Sequence, residues 1–167
     1  KFPGFIGGSY RTRSKSFDTQ RTINLYPEVS KSGTSKNIAA LIGTPGLRLW
    51  LNFPGGNIRG MIRFNADLSV VVSGPNVYKV TASKTVTLLG TIDAGTTPAS
   101  MASNGTTIMI VTGAYGYFLN PITNALSTIV DADFIGADTV QFIDGYFAFN
   151  KKGTGQFQIT QLYGTGI

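Results

Sequence analysis

Laid over itself with a shift of forty positions, the C-terminal part of this 167-residue chain repeats its own pattern. Met61 falls on Met101, Leu68 and Val70 on Ile108 and Ile110, the corner Ser73-Gly74 on Gly113-Ala114, and Tyr78 on Phe118. A third copy follows at nearly the same spacing. Val140 stands 39 beyond Met101, Asn104-Gly105 meets Asp144-Gly145, and Ile108 and Ile110 meet Phe147 and Phe149. A period of this length means stacked supersecondary units, none of which buries its apolar surface alone.

Each unit reads as strands. The first strands are expected at 60–64, 99–103 and 139–143, and a tight turn follows each, clearest at Asn104-Gly105 and Asp144-Gly145. Asn, Asp and Gly tolerate the positive φ that a two-residue hairpin needs. Second strands are expected at 68–72, 107–112 and 146–150, then a glycine or proline corner and third strands at 77–81, 117–119 and 156–160. Fourth strands at 85–89 and 125–130 complete two of the units. Val70-Val71-Val72 and Ile108-Met109-Ile110-Val111 are apolar without alternation. A strand wetted on one face alternates, so these are to be covered on both. Four antiparallel strands per forty residues, each small sheet buried between neighbours, is the pattern of a β-propeller blade. The expected fold is therefore all-β: a partial β-propeller of about three four-stranded antiparallel blades (57–167) after an extended N-terminal arm (1–56). Propellers close with more blades than three, so the chain is expected to be the N-terminal part of a longer protein.

The arm is turn-rich, broken at Gly7-Gly8, Pro27, Gly33 and Pro45-Gly46, with short strands expected at 22–26, 39–42 and 47–51. It holds most of the positive charge. Residues 1–63 carry ten Lys or Arg against Asp18 and Glu28, a net of +8, whereas residues 64–167 carry four Lys against six Asp, a net of −2. The densest cluster is Arg11, Arg13 and Lys15, with Arg21 beyond. Such a run suits an anionic surface, either nucleic acid or an acidic protein face, or simply a solvated loop. No aromatic residue interleaves it, which argues against base stacking.

Chemistry is constrained by what the chain lacks. It has no cysteine and no histidine, which removes thiolate and Ser-His-Asp catalysis, cysteine- or histidine-bound metals and a histidine proton switch. No catalytic, cofactor-binding or metal-binding residue is assigned. Gly43-Thr44-Pro45-Gly46 lacks the lysine of a phosphate loop and reads as a turn. Asp131-Ala132-Asp133 lacks the rest of a calcium loop. The segment Asn24 to Glu28, with Tyr26, is either a docking strap or a strand ending in a proline turn. In Leu47-Arg48-Leu49-Trp50-Leu51, alternation sets the leucines on one face and Arg48 and Trp50 on the other, a candidate partner surface. No uninterrupted apolar stretch is long enough to cross a membrane, and none is expected to contact one.

Phe5-Ile6-Gly7-Gly8-Ser9-Tyr10, Arg21-Thr22-Ile23-Asn24-Leu25-Tyr26-Pro27-Glu28, Gly43-Thr44-Pro45-Gly46-Leu47 and Ile58-Arg59-Gly60-Met61 resemble the packaged-DNA stabilisation proteins of short-tailed phages and related prophages. Ala137-Asp138-Thr139-Val140, Phe142-Ile143-Asp144-Gly145-Tyr146-Phe147 and Gly153-Thr154-Gly155-Gln156-Phe157 extend the likeness nearly to the end of the chain. The resemblance implies a β-propeller and a structural, non-enzymatic role in the virion. It implies a tail accessory or head-completion factor, made in the bacterial host cytoplasm and assembled in several copies under the portal protein. There it would close the channel, stabilise packaged DNA and serve as a platform for other tail proteins. Arg11, Arg13, Lys15 and Arg21 are then candidates for contact with the portal, a neighbouring copy or DNA, and Tyr26, Arg48 and Trp50 for an interface. The alternative is a glycan-binding or glycan-cleaving propeller of a phage tail or bacterial surface protein, with Tyr115, Tyr117 and Phe118 as its aromatic platform. No acidic partners recur at matching blade positions to support it.

Overall fold

The computed structural model describes residues 10–11, 19–20, 24–29, 39–162 and 164. Every regular element among them is a β-strand. The chain divides into two compact units, Lys1–Trp50 and Leu51–Ile167.

Among the described residues the first unit shows two separate two-stranded antiparallel ladders. Strand β1 (Tyr10–Arg11) pairs with β2 (Thr19–Gln20), Arg11 opposite Thr19. Strand β3 (Leu25–Val29) pairs with β4 (Ala39–Gly43), Tyr26 opposite Ile42. Pro27 lies within β3, opposite Leu41, where a proline turn was expected. A two-stranded ladder leaves alternate N–H positions pointing outward, and a proline there costs no hydrogen bond. The strand expected at 47–51 does not form. Residues 44–53 run without ladder partners, and alternation shapes a strand only where a second strand takes up its backbone groups.

The second unit is a stack of three antiparallel sheets. Strands β5 (Ile58–Arg63), β6 (Leu68–Ser73), β7 (Asn76–Thr81) and β8 (Val86–Thr91) form the first in that order. Strands β9 (Ser100–Ser103), β10 (Ile108–Val111), β11 (Gly116–Asn120) and β12 (Ala125–Thr128) form the second. Strands β13 (Val140–Ile143), β14 (Tyr146–Asn150) and β15 (Phe157–Ile159) form the third, which has three strands among the described residues. The first strand of the middle blade, β9, lies against both β5 and β13, so the three run side by side at one edge of the stack. These are the blades and the hub of a partial propeller.

Packing follows the prediction of two-sided cover. Ile108 and Ile110 face the first blade, in a core with Val70, Val72, Val77, Tyr117 and Leu119. Met109 and Val111 face the third, packed with Phe118, Val140, Phe147 and Phe149. All four residues of β10 are sealed from solvent, and each such side chain contributes about 1.5–3 kcal/mol of transfer free energy. The outer face of the first blade is covered differently. Phe53 packs on Tyr78 with ring centroids 5.6 Å apart, and the Tyr78 hydroxyl donates to the Pro54 carbonyl at 2.7 Å.

The ladders also correct the repeat. Met61 is paired with Val71 and faces away from the second blade; its counterpart Met101 is paired with Ile110. The first strands thus repeat at forty, but the second and third repeat at 39, Val71 matching Ile110 and Tyr78 matching Tyr117. The turn after β9 is one residue shorter than the turn after β5, because Ser103 pairs with Ile108 whereas Arg63 pairs with Ser69. A shift of one residue turns a strand over, so Val70 and Val72 correspond in facing to Met109 and Val111. At Asp144-Gly145 the expected hairpin is present, φ being 50° and 89°, with Ile143 opposite Tyr146. In the second blade the two-residue loop sits one position later than expected, at Gly105-Thr106, closed by the Asn104 N–H on the Thr107 carbonyl at 3.1 Å.

Candidate functional site

The hub is built by hydrogen bonds at one end of its three strands. The Ala99 N–H donates to the Arg59 carbonyl at 2.9 Å, joining β9 to β5. The Val140 N–H donates to Ser100 Oγ at 3.1 Å, joining β13 to β9. Gly60 permits the first of these contacts, because a Cβ there would collide with the Ala99 carbonyl oxygen. A β-bulge between Ile58 and Gly60 sets the local bend.

A buried polar clamp reinforces the same end. Arg59 is almost wholly buried and forms an ion pair with Asp93 at 3.0 Å. Its Nε donates to the Thr97 carbonyl (2.8 Å), and Nη1 donates to the carbonyls of Asp93 (2.7 Å) and Gly74 (3.1 Å). Asp93 Oδ1 accepts from the Thr112 hydroxyl at 2.6 Å, and Oδ2 accepts from the Gly95 N–H at 3.2 Å. The Asp93 N–H donates to the Tyr117 hydroxyl at 2.9 Å. Burial alone pushes the Asp93 carboxyl up, but the Thr112 hydroxyl, the Arg59 charge and the Gly95 N–H together hold it below its ordinary value. Burial raises the Tyr117 phenol, and the Asp93 charge adds to that. The clamp ties β5 to the link 92–98 and to the second blade. Its saturated hydrogen bonding marks it as structural.

Away from these pins the inner strands part. Between them lies a cleft of about 420 Å³, lined by Ile62, Arg63 and Phe64 of the first blade, Met101, Ala102, Ser103 and Gly105 of the second, and Gln141 and Phe142 of the third. Arg63 is the one charged residue of the lining. Its Nε donates to the Asn65 carbonyl at 3.0 Å, which steadies the guanidinium.

The residues singled out in the sequence fall elsewhere. Arg11 lies in β1; Arg13, Lys15 and Arg21 lie outside the described residues. Tyr26 and Trp50 are about half exposed, at 46% and 56%, and Arg48 is exposed. The alternation that set Arg48 and Trp50 apart from the leucines is absent, since Leu47 and Leu49 are as open to solvent as their neighbours. The aromatic platform of the glycan reading is also corrected. Tyr117 and Phe118 are core residues on opposite faces of the second blade, and only Tyr115 of the three is exposed. Asp131 closes a local turn by accepting the Asp133 N–H at 2.9 Å. Sequence reading missed Arg59 and Asp93 as a pair, being 34 residues apart. The one available signal was an arginine beside Gly60, in the motif that carried the family likeness.

Residues 3–165 match the family described as "Bacteriophage P22 Gp10, beta-propeller". The chain belongs to this family. It is a phage structural protein with a β-propeller fold, and both the resemblance and the fold class expected from the repeat hold. Among curated proteins none matches it significantly. Among solved structures, "Crystal Structure of Mitotic Checkpoint Complex" is similar at 13% identity with a TM-score of 0.44, over 72% of this chain and 44% of that one. The match therefore spans less than half of that chain's length.

Proposed function

We propose that this protein works by assembly, as part of the phage head–tail connector that closes the portal channel over packaged DNA and gives later tail proteins a platform. The blades form a rigid wall. The first unit, with Arg11, Arg13, Lys15 and Arg21, engages the portal protein or a neighbouring copy, and DNA contact is the narrower version of the same idea. Tyr26, Arg48 and Trp50 belong to that docking surface.

One observation carries this reading: among its described residues the first unit forms only two-stranded ladders and leaves apolar side chains exposed. Two-stranded ladders are marginal in water, and Leu47 and Leu49 lie 105% and 79% exposed beside Trp50. An arm of short ladders, bare apolar side chains and concentrated positive charge suits a segment completed by its partner. Family membership supplies the setting. The test is complementation of a phage lacking the gene with the full protein carrying Arg11→Gln, Arg13→Gln, Lys15→Gln and Arg21→Gln together. The expected result is a loss of infectious particles, with empty or leaking heads. Normal particle yield and normal genome retention would overturn the role of the arm.

A further inference from the structure

The geometry points to the hub cleft as a docking site for an extended, acidic segment of a partner protein, with Arg63 receiving its carboxylate. This goes beyond the connector role and does not rest on it.

Three observations converge. First, β5, β9 and β13 are each the terminal strand of their sheet, so beyond the pins at Ala99–Arg59 and Val140–Ser100 their hub-side edges have no ladder partner among the described residues. A free edge is a template for an extended chain, whose backbone supplies the missing partners. Second, the cleft has the volume of a ligand site, about 420 Å³, within the usual range of roughly 300–1,000 Å³. Its walls combine apolar surface from Ile62 and Met101 with the polar Ser103 and Gln141. Alternate side chains of an extended segment would meet these in turn. Third, its charge has one sign. The Nε of Arg63 is held by the Asn65 carbonyl, and among the described residues no partner takes its two terminal nitrogens. A guanidinium anchored on one side and open on the other is set for a carboxylate.

Solution binding tests this directly. The full protein is titrated into a panel of short fluorescein-labelled peptides, each with one Asp or Glu between apolar positions, and each with its Asn or Gln counterpart. Fluorescence anisotropy is the readout. At least one acidic peptide binds the native protein, and its amide counterpart binds about tenfold more weakly, the scale of one charge-assisted hydrogen bond. Arg63→Gln loses the same factor, Arg63→Lys keeps part of it, and added salt weakens the acidic peptide alone. Arg63 is exposed, so the variants should melt with the native protein, which separates lost binding from lost fold. The inference is overturned if no peptide binds, if acid and amide bind alike, if Arg63→Gln binds as well as the native protein, or if succinate competes as strongly as the peptide.

Discussion

Arg59 offers the sharpest test of how the blades are held together. Arg59→Met keeps most of the apolar stem and removes the guanidinium. It leaves the Asp93 carboxylate without its counter-ion and the carbonyls of Gly74, Asp93 and Thr97 without their donor. Breaking a buried pair from one side costs about 3–5 kcal/mol. Asp93 retains some exposure, with 16% of its side chain accessible, and keeps the Thr112 and Gly95 bonds, so the lower end applies, about 3 kcal/mol. For a unit of this size that corresponds to a fall in Tm of about 10–15 °C. Differential scanning calorimetry of the native protein, Arg59→Met, Asp93→Asn and the double variant completes the cycle. The double variant should lose less than the two single losses added together, with a coupling of about 2 kcal/mol, because neutralising Asp93 removes the stranded charge. A fall in Tm of under about 3 °C for Arg59→Met, or strict additivity, would refute the clamp.

Two further outcomes follow from the hub. Gly60→Ala drives a methyl group into the Ala99 carbonyl and should cost about 1–3 kcal/mol by overpacking, read as a lowered urea midpoint with an unchanged m-value; an unchanged midpoint would show that β5 and β9 are not in close register. Stability should also fall in acid. The folded Asp93 carboxyl lies below its unfolded value, so its contribution is full above the unfolded carboxylate range and is lost as pH drops through the folded one. The urea midpoint of the native protein should therefore decline below about pH 4, and Asp93→Asn should flatten that part of the decline.

The blades were readable because their central strands break the usual rule of alternation. Val70-Val71-Val72 and Ile108 to Val111 demand cover on both sides, and the structure supplies it. What escaped reading depends on neighbours. The stretch 47–51 alternates like a strand yet has no ladder, because periodicity describes a face and not a partner. A turn shortened by one residue rotated the second and third strands relative to the first, which a single shift of the sequence cannot register. The Arg59–Asp93 pair and the cleft arise where separate blades meet, and local spacing carries no trace of either.

Because the three blades meet at two sheet-on-sheet cores, cohesion between them runs from each member of the row to the next. Injury to one junction should stay there, so that hydrogen exchange would quicken in two sheets while the remaining one keeps its protection. The middle blade, sealed on both flanks, would be the slowest to exchange and the last to melt.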